Sequence, residues 1–246
     1  GDIGQEGYFL EARTRISRKN TADHRGMTIA HEQFGLGFPR GVRPYMVTLD
    51  AGATWEKVFA LTDSTAAIDL AIHPTHTDTI YAAMWERVRG LTYRRSGGPS
   101  SGIWRSYDGG DTWTELTNGL PSGSDVGRIG VSVSESMPST VYAFYCDDPG
   151  YFMGVYKSTD GGATWTSSSG GLSNRAITAL VIHSSHPSTV YAGQSDGLSR
   201  SMDGGKTWSP FVTGMTHTSI TALSFDPTSG DTLYAGTCGG GSYWIY

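Results

Sequence analysis

The sequence is poor in lysine, in cysteine and in long apolar runs. It holds four lysines and two cysteines among its 246 residues. No run approaches the roughly 20 apolar residues that cross a bilayer as a helix, so we expect no membrane span. Two cysteines are too few for a disulfide-rich scaffold, and Cys146 and Cys238 lack the spacing of metal ligands. The chain begins at Gly1 without a charged and then apolar leader. We therefore expect any signal peptide to have been removed or to lie outside this sequence.

Positive charge is also scarce. The formal net charge is −5, so no global basic field draws nucleic acid to the protein. No nucleotide-binding fingerprint, nucleophile elbow or zinc motif is present, and we expect neither a cofactor nor a metal ion. A local basic run near the N-terminus reads as a solvated face, although a partner strand or an anionic surface is conceivable. It comprises Arg13, Arg15, Arg18, Lys19, His24 and Arg25.

Glycine and the large aromatic residues are abundant instead. The chain has 34 glycines, 13 tyrosines and 7 tryptophans. This mixture favours short strands joined by glycine-rich turns, hence an all-β fold. Aromatic and β-branched residues run throughout the chain and argue against disorder.

Two motifs recur in the same order along the chain. The first is Ser/Thr-x-Asp-x-Gly-x-x-Trp, whose aspartates follow one another at intervals of 58, 52 and 43 residues. Its copies are Thr48–Trp55, Ser106–Trp113, Ser158–Trp165 and Ser201–Trp208. The second is Thr, an aliphatic residue, Tyr and Ala, and it occurs at 79–82, 140–143, 189–192 and 232–235. Two motifs repeating together indicate an array of similar units.

Each unit reads as four strands. In the unit 176–211 we predict strands at about 177–183, 189–194, 198–202 and 206–211. Pro187 marks the first turn of this unit. The aspartate motif forms the last turn, where the carboxylate accepts backbone amides and the glycines take positive φ, and the tryptophan packs between sheets. A four-stranded unit of roughly 40–50 residues is typical of a β-propeller blade, which is stabilised by its neighbours.

The aspartate motif resembles the Asp-box, or BNR repeat. It looks like that of sialidases, oligoxyloglucan-type glycoside hydrolases, sortilin-type receptor ectodomains and photosystem assembly propellers. The resemblance covers residues 45–246 and implies a β-propeller of four-stranded antiparallel blades. It implies little about function, because the same turn occurs on propellers with unrelated activities.

We expect a single propeller domain over residues 1–246, with about five units. They are 1–60, 62–117, 126–168, 176–211 and 219–246. The fifth stops at Tyr246 after three strands, so residues 3–10 could supply a missing outer strand. The five units could equally be part of a larger propeller, and contact with missing blades or another chain is then expected.

The repeated motif residues are interpreted as structural. An acid that recurs in every unit is a turn device, whereas an active site is needed only once. These residues are Asp50, Trp55, Asp108, Trp113, Asp160, Trp165, Asp203 and Trp208.

The connection Glu86–Ser101 is the largest irregularity in the array. It joins the second and third strands of its unit through about sixteen residues, and long loops on rigid scaffolds often carry binding groups. Arginine can bind an anion through two parallel hydrogen bonds, and aromatic side chains can stack on sugar rings. The ligand-binding candidates are Trp85, Arg87, Arg89, Tyr93, Arg94 and Arg95. The alternative is a solvated loop, or one that packs on a neighbouring blade.

Asp69 is the weak candidate for a catalytic residue. The matching positions of the other units hold small residues, Gly130, Ala179 and Ala222, on the innermost strand. A crowded carboxyl there could be catalytic, but an acid satisfied by backbone amides is the preferred interpretation. Separately, Asp147-Asp148 opens another loop on the same rim and is a weak candidate for sugar hydroxyls or Ca²⁺.

Two His-x-x-His pairs could suggest a metal site. His73 and His76 match His183 and His186 at the same turn of two different units. The fifth unit begins this turn with Asp226, so we interpret the histidines as variants of one turn.

The first functional hypothesis is an interaction propeller that binds a glycan or a protein through this loop rim. We expect it to be secreted or cell-surface, with the periplasm as a further possibility. One alternative is a glycoside hydrolase of the sialidase or oligoxyloglucan type, although 38–41 does not match the sialidase Arg-Ile-Pro signature. Another is an extracytoplasmic assembly factor.

The cysteines fall at the same position of two units that are not adjacent. Cys146 and Cys238 both end the second strand of their unit. Blades pack about 10 Å or more apart, whereas a disulfide needs Cα atoms within about 7 Å. The repeat therefore predicts that they are not joined to each other.

Overall fold

The computed structural model describes residues 26–28, 45–48, 56–89, 93–226, 229–238 and 241–245, with side chains for 59–88, 93–226 and 229–238. In these residues the regular elements are antiparallel β-strands. No helix in the described part of the chain is long and apolar enough to cross a membrane.

The first two sheets differ in completeness. The first has three strands in the order β1-β2-β3, which are Gly26–Thr28, Tyr45–Thr48 and Glu56–Phe59. The second has four strands, which are β4 (Thr65–Ile72), β5 (Ile80–Glu86), β8 (Gly102–Ser106) and β9 (Thr114–Leu116). Between β5 and β8 the chain forms a small hairpin of β6 (Val88–Arg89) and β7 (Arg94–Arg95).

The remaining sheets repeat the same order of strands. The third sheet comprises β10 (Val126–Val133), β11 (Val141–Asp147), β12 (Phe152–Ser158) and β13 (Thr166–Ser167). The fourth comprises β14 (Ile177–Ile182), β15 (Val190–Gln194), β16 (Gly197–Ser201) and β17 (Ser209–Pro210). The last has β18 (Ile220–Phe225), β19 (Leu233–Thr237) and β20 (Gly241–Ile245). The predicted four-stranded antiparallel units are confirmed, and the fold is that of a β-propeller. The proposed N-terminal strand at residues 3–10 lies outside the described residues.

The hydrophobic core lies between consecutive sheets. Each main cluster of buried residues combines side chains from two neighbouring units, and the first strands of successive units lie next to one another. A second strand whose sheet has a described unit on each side is therefore covered on both faces. In β15, Val190, Tyr191 and Ala192 are all buried. In β19, Leu233 and Ala235 are buried but Tyr234 between them is 43% exposed, so only one face of the last sheet is packed in the described residues.

The aspartate motif forms the turn between the third and fourth strands. Asp160 Oδ1 accepts the backbone N–H of Thr164 at 2.9 Å, and Ser158 Oγ donates to the same oxygen at 2.7 Å. Gly161 and Gly162 have φ of +69° and +93°, which favours glycine. The turns of Asp108 and Asp203 repeat these bonds. Asp50 and Trp55 lie outside the described residues.

The tryptophans of these turns pack against the preceding sheet. Trp165 and Trp208 are each 4% exposed within clusters that include residues of the unit before them. The Trp208 indole N–H donates to the Ser168 carbonyl of that unit at 2.8 Å. Trp113 is half-buried and stacks face to face on Phe59, with ring centroids 4.6 Å apart. The indoles therefore fill the space between sheets.

Both cysteines are free, so the predicted absence of a bond between Cys146 and Cys238 is confirmed. Cys146 is buried at the end of β11, and burial raises the pKa of its thiol to about 11. Cys238 is exposed.

Candidate binding groove

The connections between second and third strands lie at one end of the sheets. Because the strands alternate in direction, the aspartate turns and the histidine turns lie at the opposite end. The second unit contributes the long loop 87–101 and the third unit contributes the loop 148–151. A groove of about 250 Å³ lies between these loops, and the start of β14 forms its third side. Its polar and aromatic lining residues are Trp85, Arg94, Ser96, Arg128, Asp147, Asp148 and Thr178.

Glu86 fixes the base of the long loop. It ends β5 and is buried, yet its carboxylate is fully engaged. Arg95 pairs with one oxygen, while the backbone N–H and the hydroxyl of Ser100 donate to the other at 3.2 and 2.7 Å. A Cβ at Gly98 would overlap this carboxylate, so the loop closes over Glu86 only with glycine there. Arg95 is therefore engaged in holding the loop.

Trp85 and Arg87 form a second contact within the loop. The guanidinium carbon of Arg87 lies 4.7 Å from the centroid of the Trp85 ring, a cation–π geometry. The Trp85 indole N–H donates to the Ser96 carbonyl. Of the other candidates, Tyr93 is 61% exposed and Arg94 is exposed at the groove. The side chain of Arg89 lies outside the described residues.

The facing wall is held by two consecutive aspartates. Asp147 Oδ1 accepts the backbone N–H groups of Gly150 and Tyr151 at 2.9 and 2.6 Å. Asp148 Oδ1 accepts the backbone N–H of Ser96 from the long loop and so ties two neighbouring units together. Tyr151, at the tip of this wall, is 65% exposed. The groove is therefore built from two loops that hydrogen bonds hold in place.

Arg128 is a groove residue that the sequence analysis missed. In β4, β14 and β18 a bulge lies directly before the position matching Asp69, whereas in β10 it falls between Val126 and Ile129. This displacement brings Arg128 into the groove lining. A Cβ at Gly127 would overlap the Asp147 carbonyl oxygen. Glycine inside a strand often marks a bulge, so Gly127 was the available signal.

Asp69 does not line the groove. It is half-buried on β4, where its Oδ2 accepts the backbone N–H of Val131 at 3.1 Å and its Oδ1 accepts that of Leu70 at 3.0 Å. Val131 belongs to β10, so this carboxylate links the inner strands of two units. A hydroxyl forms a similar link between the fourth and fifth units, where Thr178 Oγ1 donates to the Ile220 carbonyl at 2.6 Å.

The histidine pairs cap the turn between first and second strands. His73 Nδ1 accepts the backbone N–H of His76 at 3.0 Å, and His183 Nδ1 accepts that of His186 at 3.3 Å. Ser134 and Asp226 do the same with an oxygen in their own units. Three residue types, His, Ser and Asp, thus cap the same turn in four units.

One histidine pair also approaches an acid. His183, His186 and Asp231 bring nitrogen and oxygen atoms within 4.8 Å of one another. Because His183 Nδ1 accepts backbone N–H groups, its proton lies on Nε2, which faces Asp231 Oδ1 at 3.1 Å. Neither ring nitrogen of His183 then has a lone pair to offer a metal ion.

No protein-family model matches the sequence, and the comparison with curated proteins finds no match. Solved structures do resemble it. A GH74 xyloglucanase from Xanthomonas campestris matches with a TM-score of 0.60 and 21% identity, over 82% of this chain and 33% of that one. The GH74 enzyme of Niastella koreensis matches at 0.57 and 21%, over 80% and 30%.

A third similar structure is the extracellular domain of a putative hybrid two-component system from B. thetaiotaomicron. It matches with a TM-score of 0.55 and 14% identity, over 82% of this chain and 23% of that one. At these identities the likeness shows the fold, and this chain spans about a third or less of each of the three proteins. What the structural neighbours support is a β-propeller, with a partial match that fits a portion of a larger one.

Proposed function

We propose that residues 1–246 form a propeller domain of the Asp-box kind whose loop-rim groove binds a glycan or a protein partner. The observation that carries this proposal is the groove between the loops 87–101 and 148–151. It combines an aromatic ring, Trp85, with the cation Arg94. We further propose that the protein works outside the cytoplasm, secreted or at a cell surface.

The rigidity of the groove supports a binding role. The Glu86 carboxylate closes one loop, and Asp148 joins that loop to the other wall. A ligand that binds a preformed site loses little free energy to the ordering of loops and side chains. More of the contact energy therefore contributes to affinity. The exposed Tyr93 and Tyr151 stand on the two loops and can add flat faces for a sugar or a side chain.

The carboxylates at the rim support binding over catalysis. A glycosidase needs two carboxyl groups on opposite sides of the scissile bond. Asp147 and Asp148 are consecutive on one wall, and each uses an oxygen to accept backbone N–H groups. On the other wall Glu86 is buried and paired with Arg95.

A glycoside hydrolase is the alternative, favoured by the likeness of fold to GH74 enzymes. Asp69 is then the candidate carboxyl group. Hydrolysis of xyloglucan or of a sialoside by the purified chain, lost in Asp69→Asn with the fold retained, would replace the binding proposal with this one.

The test of the binding proposal is a screen of immobilised glycans and peptides with the purified chain, followed by titration of any ligand found. Tyr93→Ala, Arg94→Ala and Tyr151→Ala should each weaken binding by about tenfold or more, as for residues that contact a ligand directly. Tyr107→Ala is the matched control, since Tyr107 is also exposed but lies on an aspartate turn at the opposite end. Equal losses in the control and the groove variants would contradict the proposal.

A further inference from the structure

We infer that the ligand of the groove is an acidic glycan, bound through a sugar carboxylate by Arg128. This inference rests on the proposed function and names the substrate class of the same site.

Arg128 is a groove residue that forms no ion pair within the described part of the chain. Its Nε atom is buried and makes no hydrogen bond within the described residues. The ion pairs of the described part of the chain involve Arg95, Arg175 and His183, and Arg128 is in none of them. Asp147 and Asp148 line the same groove, yet neither forms an ion pair with Arg128 in the described residues. The guanidinium can therefore bind an anion that enters the groove.

A bulge in the backbone of β10 places Arg128 in the groove. The bulge in β10 lies one step nearer the rim than in the other inner strands, and Gly127 permits the close approach of the bulge to Asp147. Bulges commonly aim a side chain at a functional site. Arg94 adds a second guanidinium to the lining from the long loop. Planar guanidinium groups suit a carboxylate, which they bind with two parallel hydrogen bonds.

The rest of the lining favours a sugar as the bearer of that carboxylate. Asp147 and Asp148 face the same groove and are acceptors, so they suit a ligand with hydroxyl donors beside its acid group. A hexuronate combines one carboxylate, several hydroxyls and an apolar ring face in one small rigid unit. The ring face suits Trp85 in the lining and the exposed Tyr93 and Tyr151 on the loops. The groove volume of about 250 Å³ suits one or two sugar rings.

The test compares an oligosaccharide ending in glucuronate with its twin whose carboxyl group has been reduced to an alcohol. Titration of the purified chain should show the acid binding about 10- to 100-fold more tightly, as for a hydrogen bond to a charged group. Arg128→Gln should abolish this preference and leave thermal unfolding unchanged, while Arg128→Lys should retain part of it. Arg175→Gln is the matched control, because Arg175 is an exposed arginine near the same rim, 3.8 Å from Asp196 and outside the groove lining.

The outcomes separate this inference from the proposed function. Equal affinity for the two sugars, or a preference that survives Arg128→Gln, overturns the inference. If the neutral twin binds as tightly as the acid, and Tyr93→Ala and Tyr151→Ala weaken the binding of both sugars, the binding proposal is supported and the inference about the carboxylate is wrong. A peptide rich in Asp and Glu that binds through Arg128 more tightly than the uronate would show that the ligand class is wrong. If neither these sugars nor the acidic peptide binds, the inference fails, while the binding proposal fails only if the screen of glycans and peptides also finds no ligand.

Discussion

The Tyr81 hydroxyl donates a hydrogen bond of 2.8 Å to the Gly161 carbonyl of the next unit. Arg105 donates to the same oxygen. One unit along, Lys157 Nζ donates to the Gly204 carbonyl at 3.0 Å and lies 5.4 Å from the Tyr142 ring centroid. In these two units the ring of the motif tyrosine lies beside a glycine of the next aspartate turn, Gly162 for Tyr81 and Gly205 for Tyr142. The Tyr81 hydroxyl adds a direct hydrogen bond to that turn.

Removing the Tyr81 hydroxyl should weaken this contact. Tyr81→Phe deletes one hydrogen bond and keeps the buried ring, so we expect a loss of about 0.5–1.5 kcal/mol in the free energy of unfolding. Tyr191→Phe is the matched control, because Tyr191 has the same motif position but packs on Phe211 and Phe225. Urea unfolding of both variants measures the difference, and equal losses would contradict a docking role for the hydroxyl.

The tryptophans should contribute according to their burial. Trp208→Ala removes a buried indole from between two sheets, and we expect a cost of about 3–5 kcal/mol. Trp113→Ala should cost less, because Trp113 is only half-buried. Chemical unfolding of the two variants checks the ranking. A loss under about 1 kcal/mol for Trp208→Ala would mean that the indole does not stabilise the packing of the sheets.

The aspartate turns should make the fold sensitive to acid. Hydrogen bonds from Thr112, Thr164 and Thr207 hold the pKa of Asp108, Asp160 and Asp203 well below the ordinary value of 3.8. The unfolded chain then binds protons more readily, so this stabilisation is present above about pH 4 and is lost as the pH falls further. Asp160→Asn should flatten the dependence of the unfolding free energy between about pH 5 and pH 2. An unchanged slope would contradict this origin of the acid sensitivity.

The turn cap at His73 should tolerate an acid. Burial, and then the neighbouring His76, lower the pKa of His73 below its ordinary value of 6.5. The fold therefore favours the neutral imidazole, and this contribution to stability is lost as the pH falls below about 6.5. His73→Asp places the residue type of Asp226 at the matching position, so it should preserve stability and remove this part of the pH dependence. His73→Ala should be destabilising by about 1 kcal/mol in thermal or urea unfolding. Equal stability of the Asp and Ala variants would show that the cap contributes nothing.

The sequence predicted the units because their signals are local and repeated. The Asp160 turn, the Trp165 indole and the Tyr142 motif recur at matching positions of the units. Aligning the units also showed that Cys146 and Cys238 lie in units that are not adjacent and so are not joined. The groove depends on departures from the repeat. The pairing of Arg95 with Glu86 and the stacking of Arg87 on Trp85 arise when one irregular loop folds back on its strand. Periodicity carries no information about such contacts, so the arginines of the loop looked equivalent.

The last prediction concerns the closure of that loop. Gly98→Ala places a methyl group against the Glu86 carboxylate. Because that carboxylate is buried and held by Arg95 and Ser100, we expect the loop to open to relieve the overlap. The loop carries four arginines, at 87, 89, 94 and 95, so its opening should appear as faster cleavage by trypsin within 87–101. Gly102→Ala is the control, since a methyl group there would meet only the end of the flexible Glu115 side chain, at 3.2 Å. Adding Glu86→Ala to Gly98→Ala should remove the overlap but leave Arg95 without its partner, so cleavage should stay fast. If Gly98→Ala is cleaved as slowly as Gly102→Ala, the loop is not held closed by packing over Glu86.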